Sequence, residues 1–560
     1  NNRNYWWYLP ISEKNIWTDK TIHRLYEIKR LSHILNNNDY AKICICIDDS
    51  VLQDSFTEMA SNKRIPFIKY IANNRNKKRR FTLLLFCITY YINASKAFAS
   101  VLIKKLLLLN FRSSVNSVLE INSVGIFSFF PLFWKDLDTD QPRNIFLNRL
   151  PYEIAKTYNV AHIIWLSPWK KLIVNRNWLR QLKINNETCI LDKEINIKDV
   201  LSLFKLNIFL VLLLILVRKN KVNIGSLDGI NIDHIIYDEL YRSFSSSSFF
   251  NALLIDRALQ KVPLDNLNLL IFRLEFQPHE RALLYNTKGK VQSVGYQHSA
   301  LSKNFLNYVF MKDELGRHWE KREESSSMTL PDHIFTSGQV GFDYMCNAGY
   351  PTDHLFVCGG VRYNDLRKNS HLISSKNELR IQYNIPNQKK IIFVATTPII
   401  HETVAMLSSL YRAIITQKQD TDEFYVVIKH HPNTLHMQDY KYKINEIIEP
   451  WHKIVTHEIV WNSINIHEYI KMSDVILTSG GTIPLEAMII GVPSIVYSSN
   501  FNISHNPLQN YPQSAFFVND ATSMSAAIKK VVHNEFKPGF KKNWIEPVND
   551  MFGVYQNNQY

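Results

Sequence analysis

The stretch Ser473-Asp474-Val475-Ile476-Leu477-Thr478-Ser479-Gly480-Gly481-Thr482-Ile483-Pro484-Leu485-Glu486-Ala487, closed by Gly491-Val492-Pro493 and Ser494-Ile495-Val496-Tyr497, decides the fold of this chain. Its pattern predicts strand, phosphate turn, helix, strand. The apolar run Val475–Leu477 suits a buried parallel strand. Ser479-Gly480-Gly481-Thr482 then places hydroxyls and backbone N–H groups at the mouth of a helix. Unpaired amides and the helix dipole there favour an anion by about 0.3–1 kcal/mol per charge. Pro484 fits the first helical turn, and Glu486, one turn in, is expected to face whatever sits at that mouth. A cap alone does not need two consecutive glycines, whereas a phosphate approaching backbone does. The turn lacks the Gly-Lys-Ser/Thr ending of a P-loop.

Working outward, the same pattern repeats. Strands are expected at Ile391–Ala395, Phe424–Lys429, Lys453–Val455, Asp474–Leu477, Ser494–Tyr497 and Ala515–Val518, with helices at Glu402–Thr416, Ile466–Met472, Ile483–Ile490 and Ser523–His533 between them. Short strands joined by helical crossovers give a parallel, doubly wound sheet, whose ligands bind beyond the carboxyl ends of the strands. Thr396-Thr397-Pro398, His430-His431-Pro432 and Ser479–Thr482 all fall at that edge. Pro432 stops its strand and holds His431 extended, so the ring is expected to reach a ligand phosphate or base.

A looser α/β series precedes this one, with strands expected at Ile43–Ile47, His162–Leu166, Leu269–Phe272, Val291–Tyr296, His333–Thr336 and Leu355–Cys358. At 560 residues the chain exceeds a single core. The expected division is an N-terminal acceptor-side domain over 1–370, with helical insertions near 75–120 and 195–260, a nucleotide-binding domain over 371–540, and a tail over 541–560 that packs back on the first domain. Glu275 stands at the end of one strand and His298 at the end of the next, where a general base for an acceptor hydroxyl belongs. Asp49, in Asp48-Asp49-Ser50, competes with Glu275 for that role, and a buried ion pair of Glu275 with Arg273 or Arg281 is the plainer alternative. Arg362, after Gly359-Gly360, is expected to meet a phosphate or a sugar carboxylate. The acids Asp136, Asp138 and Asp140 read as a solvated loop.

The formal charge of +15 implies an anionic partner. Basic residues are dispersed and not interleaved with aromatics, which disfavours nucleic acid. Six scattered cysteines make no disulfide framework and fit a reducing compartment, with Cys44 and Cys46 expected as core thiols; no His/Cys cluster suggests a metal. The first residues lack the apolar core of a signal peptide, so a cytoplasmic protein is expected. The basic run Arg75–Arg80 beside apolar Phe81–Ile92, and the apolar run Ile208–Val217 followed by Arg218 and Lys219, leave two options open. They are buried helices beside a solvated loop, or helices that touch the inner face of the cytoplasmic membrane.

These residues resemble a glycosyltransferase of the GT-B type, which implies two Rossmann-like doubly wound domains facing a cleft and chemistry without a metal or cofactor. Trp6-Trp7, Ile126–Phe133, Asn148-Arg149-Leu150-Pro151, Glu275–Glu280, Gly295–Ser299 and Gly359–Tyr363 together resemble a bacterial family of surface carbohydrate biosynthesis proteins. His431-Pro432 with Ser479-Gly480-Gly481-Thr482 is similar to the His-Pro and Ser/Thr motifs of bacterial sialyltransferases and Kdo transferases. The resemblance implies a CMP-linked nonulosonic or Kdo-like donor and an acceptor that is a surface polysaccharide or glycolipid precursor. Ser494 stands where UDP- and GDP-dependent retaining relatives often carry a second Glu. A nucleotide-sugar 2-epimerase, a polyol-phosphate transferase and a non-catalytic scaffold of glycan assembly are the alternatives.

Overall fold

The computed structural model describes the chain apart from residues 1–3, 16–18, 48, 71–82, 110–118, 120, 131–132, 136–141, 167–171, 174–187, 220–222, 312–313, 316–326, 417–422, 435–436, 461–464, 500–502, 534, 536–539 and 554–560. Asp48, the basic run 75–80 and the acids at 136, 138 and 140 lie outside the described residues.

The fold is α/β with two doubly wound parallel sheets, as the GT-B expectation requires. The first has strands Ser123–Phe130 (β1), Val160–Leu166 (β2), Thr188–Ile190 (β3), Leu267–Arg273 (β4), Gln292–Gln297 (β5), His333–Thr336 (β6) and Leu355–Val357 (β7), in the spatial order β3-β2-β1-β4-β5-β6-β7. Parallel ladders join β1 to β2 and β4, β2 to β3, and β4 to β5. The order reverses between β1 and β4, so that gap is the topological switch point, and Glu275 follows β4. Among the described residues Ile43–Cys46 pairs only with Phe67–Tyr70, in a separate two-stranded ribbon, which corrects its expected place among the sheet strands. Cys44 and Cys46 are exposed there, not core thiols.

The same part of the chain carries the helices Leu83–Leu107 (α1), Ile197–Lys219 (α2), Asp233–Phe244 (α3), Ser247–Leu259 (α4) and Pro278–Thr287 (α5).

The second sheet is formed by Lys390–Ala395 (β8), Phe424–Lys429 (β9), Thr456–Val460 (β10), Val475–Thr478 (β11), Ser494–Tyr497 (β12) and Phe516–Val518 (β13), ordered β10-β9-β8-β11-β12-β13 with every ladder parallel. Its switch point lies between β8 and β11. Side chains alternate across β8, so Ile392 and Val394 join the core beneath helix Ile400–Thr416 (α6), while Ile391 and Phe393 join the core on the other face. That second core is closed by Tyr469 and Ile470 of Ile466–Met472 (α7) and by Ala487 and Ile490 of Ile483–Ile490 (α8). Burial on both faces explains why these strands read as unbroken apolar runs.

Contacts divide the chain into one unit of residues 1–296 and 306–334 and another of 297–305 and 335–560. Helix Ile545–Phe552 (α9) packs within the second unit: Phe552 stacks on Tyr363 at 4.0 Å, and the Met551 carbonyl accepts from Ser337 Oγ at 2.9 Å.

Candidate functional site

The site in the second unit grows from three strand ends flanking its switch point. After β8, the Thr396 hydroxyl accepts the backbone N–H of His431 at 3.1 Å, which ties the end of β8 to the end of β9. The Thr397 carbonyl accepts from Tyr440 Oη at 2.8 Å, and its N–H donates to Thr403 Oγ1 at 3.2 Å. Thr397 Oγ1 also lies 3.5 Å from a carboxylate oxygen of Glu402, in the first turn of α6. That same oxygen accepts from Ser479 Oγ at 3.4 Å, across from the end of β11. A polar chain thus runs from His431 through Thr396, Thr397 and Glu402 to Ser479, and it joins the segments that the sequence singled out.

Sequence reasoning passed over Glu402, an ordinary glutamate in a helix it had placed. Burial pushes its carboxyl up to about 7, with the Ser479 and Thr397 hydroxyls opposing. A carboxyl titrating near neutrality at a strand-edge site is a functional candidate. The imidazoles behave oppositely. Burial pushes His430 down to about 4, and burial with the nearby Lys429 charge also lowers His431, so both rings are neutral at pH 7. They supply hydrogen bonds, not charge.

Within the Ser479–Thr482 turn the roles differ from the expected ones. Ser479 is buried with its hydroxyl turned inward to Glu402, so it braces the turn from below. Gly480 is tightly packed, because a Cβ there would sit 3.3 Å from the His505 carbonyl oxygen, which would have to give by a few tenths of an ångström. Gly481 is required by its φ of +81°, and the space beside it is open. Thr482 occupies the N-cap position of α8 but makes no side-chain cap. Its hydroxyl donates to Glu486 Oε1 at 2.7 Å. The other Glu486 oxygen is 3.0 Å from His467 Nε2. Burial raises the Glu486 carboxyl, but the His467 hydrogen bond and the Arg362 charge outweigh it and hold the group below the usual range. Glu486 is only 3% exposed. Its carboxylate reaches the N-cap residue Thr482 on one side and His467 on the other, and so anchors the turn. Arg362 is exposed, with its guanidinium 5.4 Å from the Tyr363 ring centre, and Pro432 is exposed at the end of β9.

In the first unit, Glu275 follows β4 at that sheet's switch point. Its carboxylate accepts from Gln277 Nε2 at 2.9 Å and lies 3.7 Å from Arg273, so the ion pair foreseen as the plainer alternative is present. Glu280, at 1% exposure, shapes this loop by accepting the backbone N–H groups of Glu275 at 2.7 Å and Gln277 at 3.2 Å, and by pairing with Arg273 at 3.2 Å. Phe276, fully buried, holds φ +54°, a costly conformation for an aromatic residue. Phe129, Arg273, His279 and Glu280 line a small cavity beside it. Glu13 was also missed: burial pushes its carboxyl up to about 8, against the Arg281 charge, and Glu280 and Glu275 raise it further.

His298 is buried, with Nε2 3.4 Å from Ser299 Oγ. Asp49, the competing candidate for the base, has a structural task. It caps helix Ser50–Asn62 through the N–H groups of Val51 and Leu52 and pairs with Arg24 at 3.0 Å. Among the described residues no group of three His, Cys, Asp or Glu side chains is placed to hold a metal ion.

No curated protein sequence matches the chain. Among solved structures, the UDP-GlcNAc 2-epimerase of Neisseria meningitidis bound to UDP-GlcNAc aligns over 77% of this chain and 97% of its own at 12% identity and a TM-score of 0.45. A glycosyltransferase of Rickettsia africae aligns over 77% and 95% at 11% identity and a TM-score of 0.43. The Anabaena HepE protein in complex with UDP and glucose aligns over 77% and 96% at 11% identity and a TM-score of 0.41. Residues 367–503, the span that carries Thr397, Glu402, His431 and the Ser479–Thr482 turn, match the model of the lipid-A-disaccharide synthetase family, LpxB, which marks this part of the chain as a glycosyltransferase-like domain.

Proposed function

We propose that this chain is a glycosyltransferase that moves a sugar from a nucleotide-linked donor to a precursor of a bacterial surface polysaccharide or glycolipid. The observation that carries the proposal is the convergence of Thr397, Glu402, His431 and the Ser479–Thr482 turn on one switch point. The family match over 367–503 supports glycosyl transfer as the chemistry.

Transfer breaks the bond between the anomeric carbon and the donor phosphate and forms one to an acceptor oxygen, whose proton goes to a base. Stabilising the departing phosphate is the larger electrostatic task. Open backbone at Gly481, beside the N-terminus of α8, offers amide donors for it. Glu402 in its neutral form adds no repulsion there and keeps a proton to donate. Glu275 is the proposed base, held by the loop that Glu280 shapes. The donor is expected to be CMP-linked, on the likeness of His431-Pro432 and Ser479–Thr482 to the motifs of CMP-sugar transferases.

Thermal melting of the protein with CMP, UDP, GDP or CDP tests this directly. A nucleotide at 100 times its Kd adds about 2.7 kcal/mol of stability. Stabilisation by CMP supports the donor assignment, and stabilisation by UDP alone overturns it while leaving transfer intact. Response to no nucleotide, or consumption of donor without any acceptor, overturns transfer itself.

A further inference from the structure

Apolar side chains that face away from the core are concentrated on two helices of the first unit. On α2, Ile208, Phe209, Leu212, Leu213 and Leu216 are 45–63% exposed at helical spacing. On α1, Leu84, Ile88, Tyr91, Ile92 and Leu106 are 48–71% exposed. The opposite faces are fully used: Phe86 and Tyr90 of α1 and Leu214 of α2 pack with Tyr237 and Tyr241 of α3 and Phe250 of α4. Soluble proteins rarely leave such continuous apolar stripes in water.

The charges on these helices point to an occupant. No acid occurs in α1, which carries Lys96, Lys104 and Lys105; Lys104 is buried against Asp192. Along α2, Lys198, Lys205 and Lys219 are exposed in register with the apolar stripe. Its one acid, Asp199, is held by Lys261 and by the Asn196 N–H at 2.7 Å. Apart from that engaged acid, every described charge on the two helices is positive. Two copies of the chain meeting through these faces would oppose lysine to lysine, whereas a layer of anionic headgroups would neutralise them.

Leu84–Leu107 and Ile197–Val217 are each long and apolar enough to cross a bilayer. Crossing would drag α3 into hydrocarbon, because α2 shares its buried cluster with α3. The Asp238 carboxylate of α3 pairs with Arg24 at 2.7 Å and Arg242 at 3.0 Å, a charged group that belongs outside the acyl region. Shallow insertion satisfies both faces, with the apolar stripe among acyl chains and the lysines at phosphate level.

We propose that α1 and α2 form a lipid-docking face that seats this chain on an anionic bilayer, with α2 lying in the plane of the interface. The proposal is independent of the reaction catalysed by the second unit.

Flotation of the full chain with vesicles of phosphatidylcholine, with or without phosphatidylglycerol, tests it, alongside sedimentation velocity in the absence of lipid. Strong flotation with phosphatidylglycerol that weakens as salt rises is expected. The double variant Phe209→Asp, Leu213→Asp should float roughly tenfold less or worse while melting as the parent does. Should that variant fail to fold, the triple variant Lys198→Gln, Lys205→Gln, Lys219→Gln, which leaves the packing alone, should lose the preference for anionic vesicles. Absence of flotation on both compositions, flotation indifferent to these substitutions, or a dimer in solution that Phe209→Asp, Leu213→Asp dissociates would each overturn the proposal.

Discussion

Replacing Glu402 by Gln isolates the central acid of the site. Burial moves this carboxyl from 4.5 to about 7. Between those values the folded chain holds the proton and the unfolded chain releases it. Stability from this group is therefore complete at low pH, declines as pH rises through that window, and levels off above pH 7. A shift of that size corresponds to on the order of 3 kcal/mol at about 1.4 kcal/mol per unit. Gln fills the same volume and keeps an oxygen to accept the Ser479 and Thr397 hydroxyls, but it has nothing to titrate. Urea unfolding, followed through the transition that bound nucleotide shifts, should place the two proteins close together at pH 5. At pH 8 the variant should be more stable by on the order of 3 kcal/mol. Other acids with raised values, such as Glu13, are common to both proteins and cancel in the difference. Parallel stability curves from pH 5 to pH 8 would refute a proton held by Glu402.

Thr482→Val strips a buried carboxylate of its 2.7 Å partner and should cost about 1–3 kcal/mol in urea unfolding, with Thr482→Ser restoring it. Gly481→Ala is expected to lose about 1–2 kcal/mol to backbone strain at φ +81° without any clash. Gly480→Ala should act by pushing the His505 carbonyl aside, so a crystal structure of each variant separates the two causes, and a displaced His505 in the Gly481 variant would contradict them. Glu275→Gln should lower turnover by roughly 10²–10⁴ under conditions where the variant is still folded, whereas full activity would remove it as the base. Glu280→Gln leaves Arg273 with Glu275 as its remaining carboxylate partner and weakens the loop's backbone anchors, which should cost about 1–3 kcal/mol by denaturant titration.

How much was legible depended on how local each determinant is. Phe424–Lys429 and Ser494–Tyr497 stand where the sequence placed them, because strands buried on both faces leave an unbroken apolar run. The strand expected at Lys453–Val455 instead covers Thr456–Val460, an edge strand whose partly exposed Thr456-His457-Glu458 lacks that signature. Ile43–Cys46 looks the same whether it joins a large sheet or a ribbon, since pairing is decided by distant chain. Thr188–Ile190 is too short to stand out, and Ser123–Phe130 overlaps Ile126–Phe133, which the sequence singles out for a family resemblance and not as a central strand. The site divides likewise. The switch-point segments announced themselves as glycine, proline and hydroxyl residues after apolar runs. Glu402 did not, because its burial and its Ser479 partner come from chain 77 residues away. Asp49 before Ser50 carries the local pattern of a helix cap, and that is the job it has.

The placement of α9 sets an order of events for the newborn chain. Gly338 and Gly360 receive the backbone of Met551 and the ring of Phe552 so closely that no other residue fits, and Ser337 bonds to a carbonyl made 214 residues later. The strip around Arg362 and Tyr363 must therefore wait, unfinished, while translation runs to the far end. A ribosome that stops short of residue 545 releases a product whose second unit still has an open seam, and such fragments should be prey for proteases even though every described strand of the second sheet has already been made.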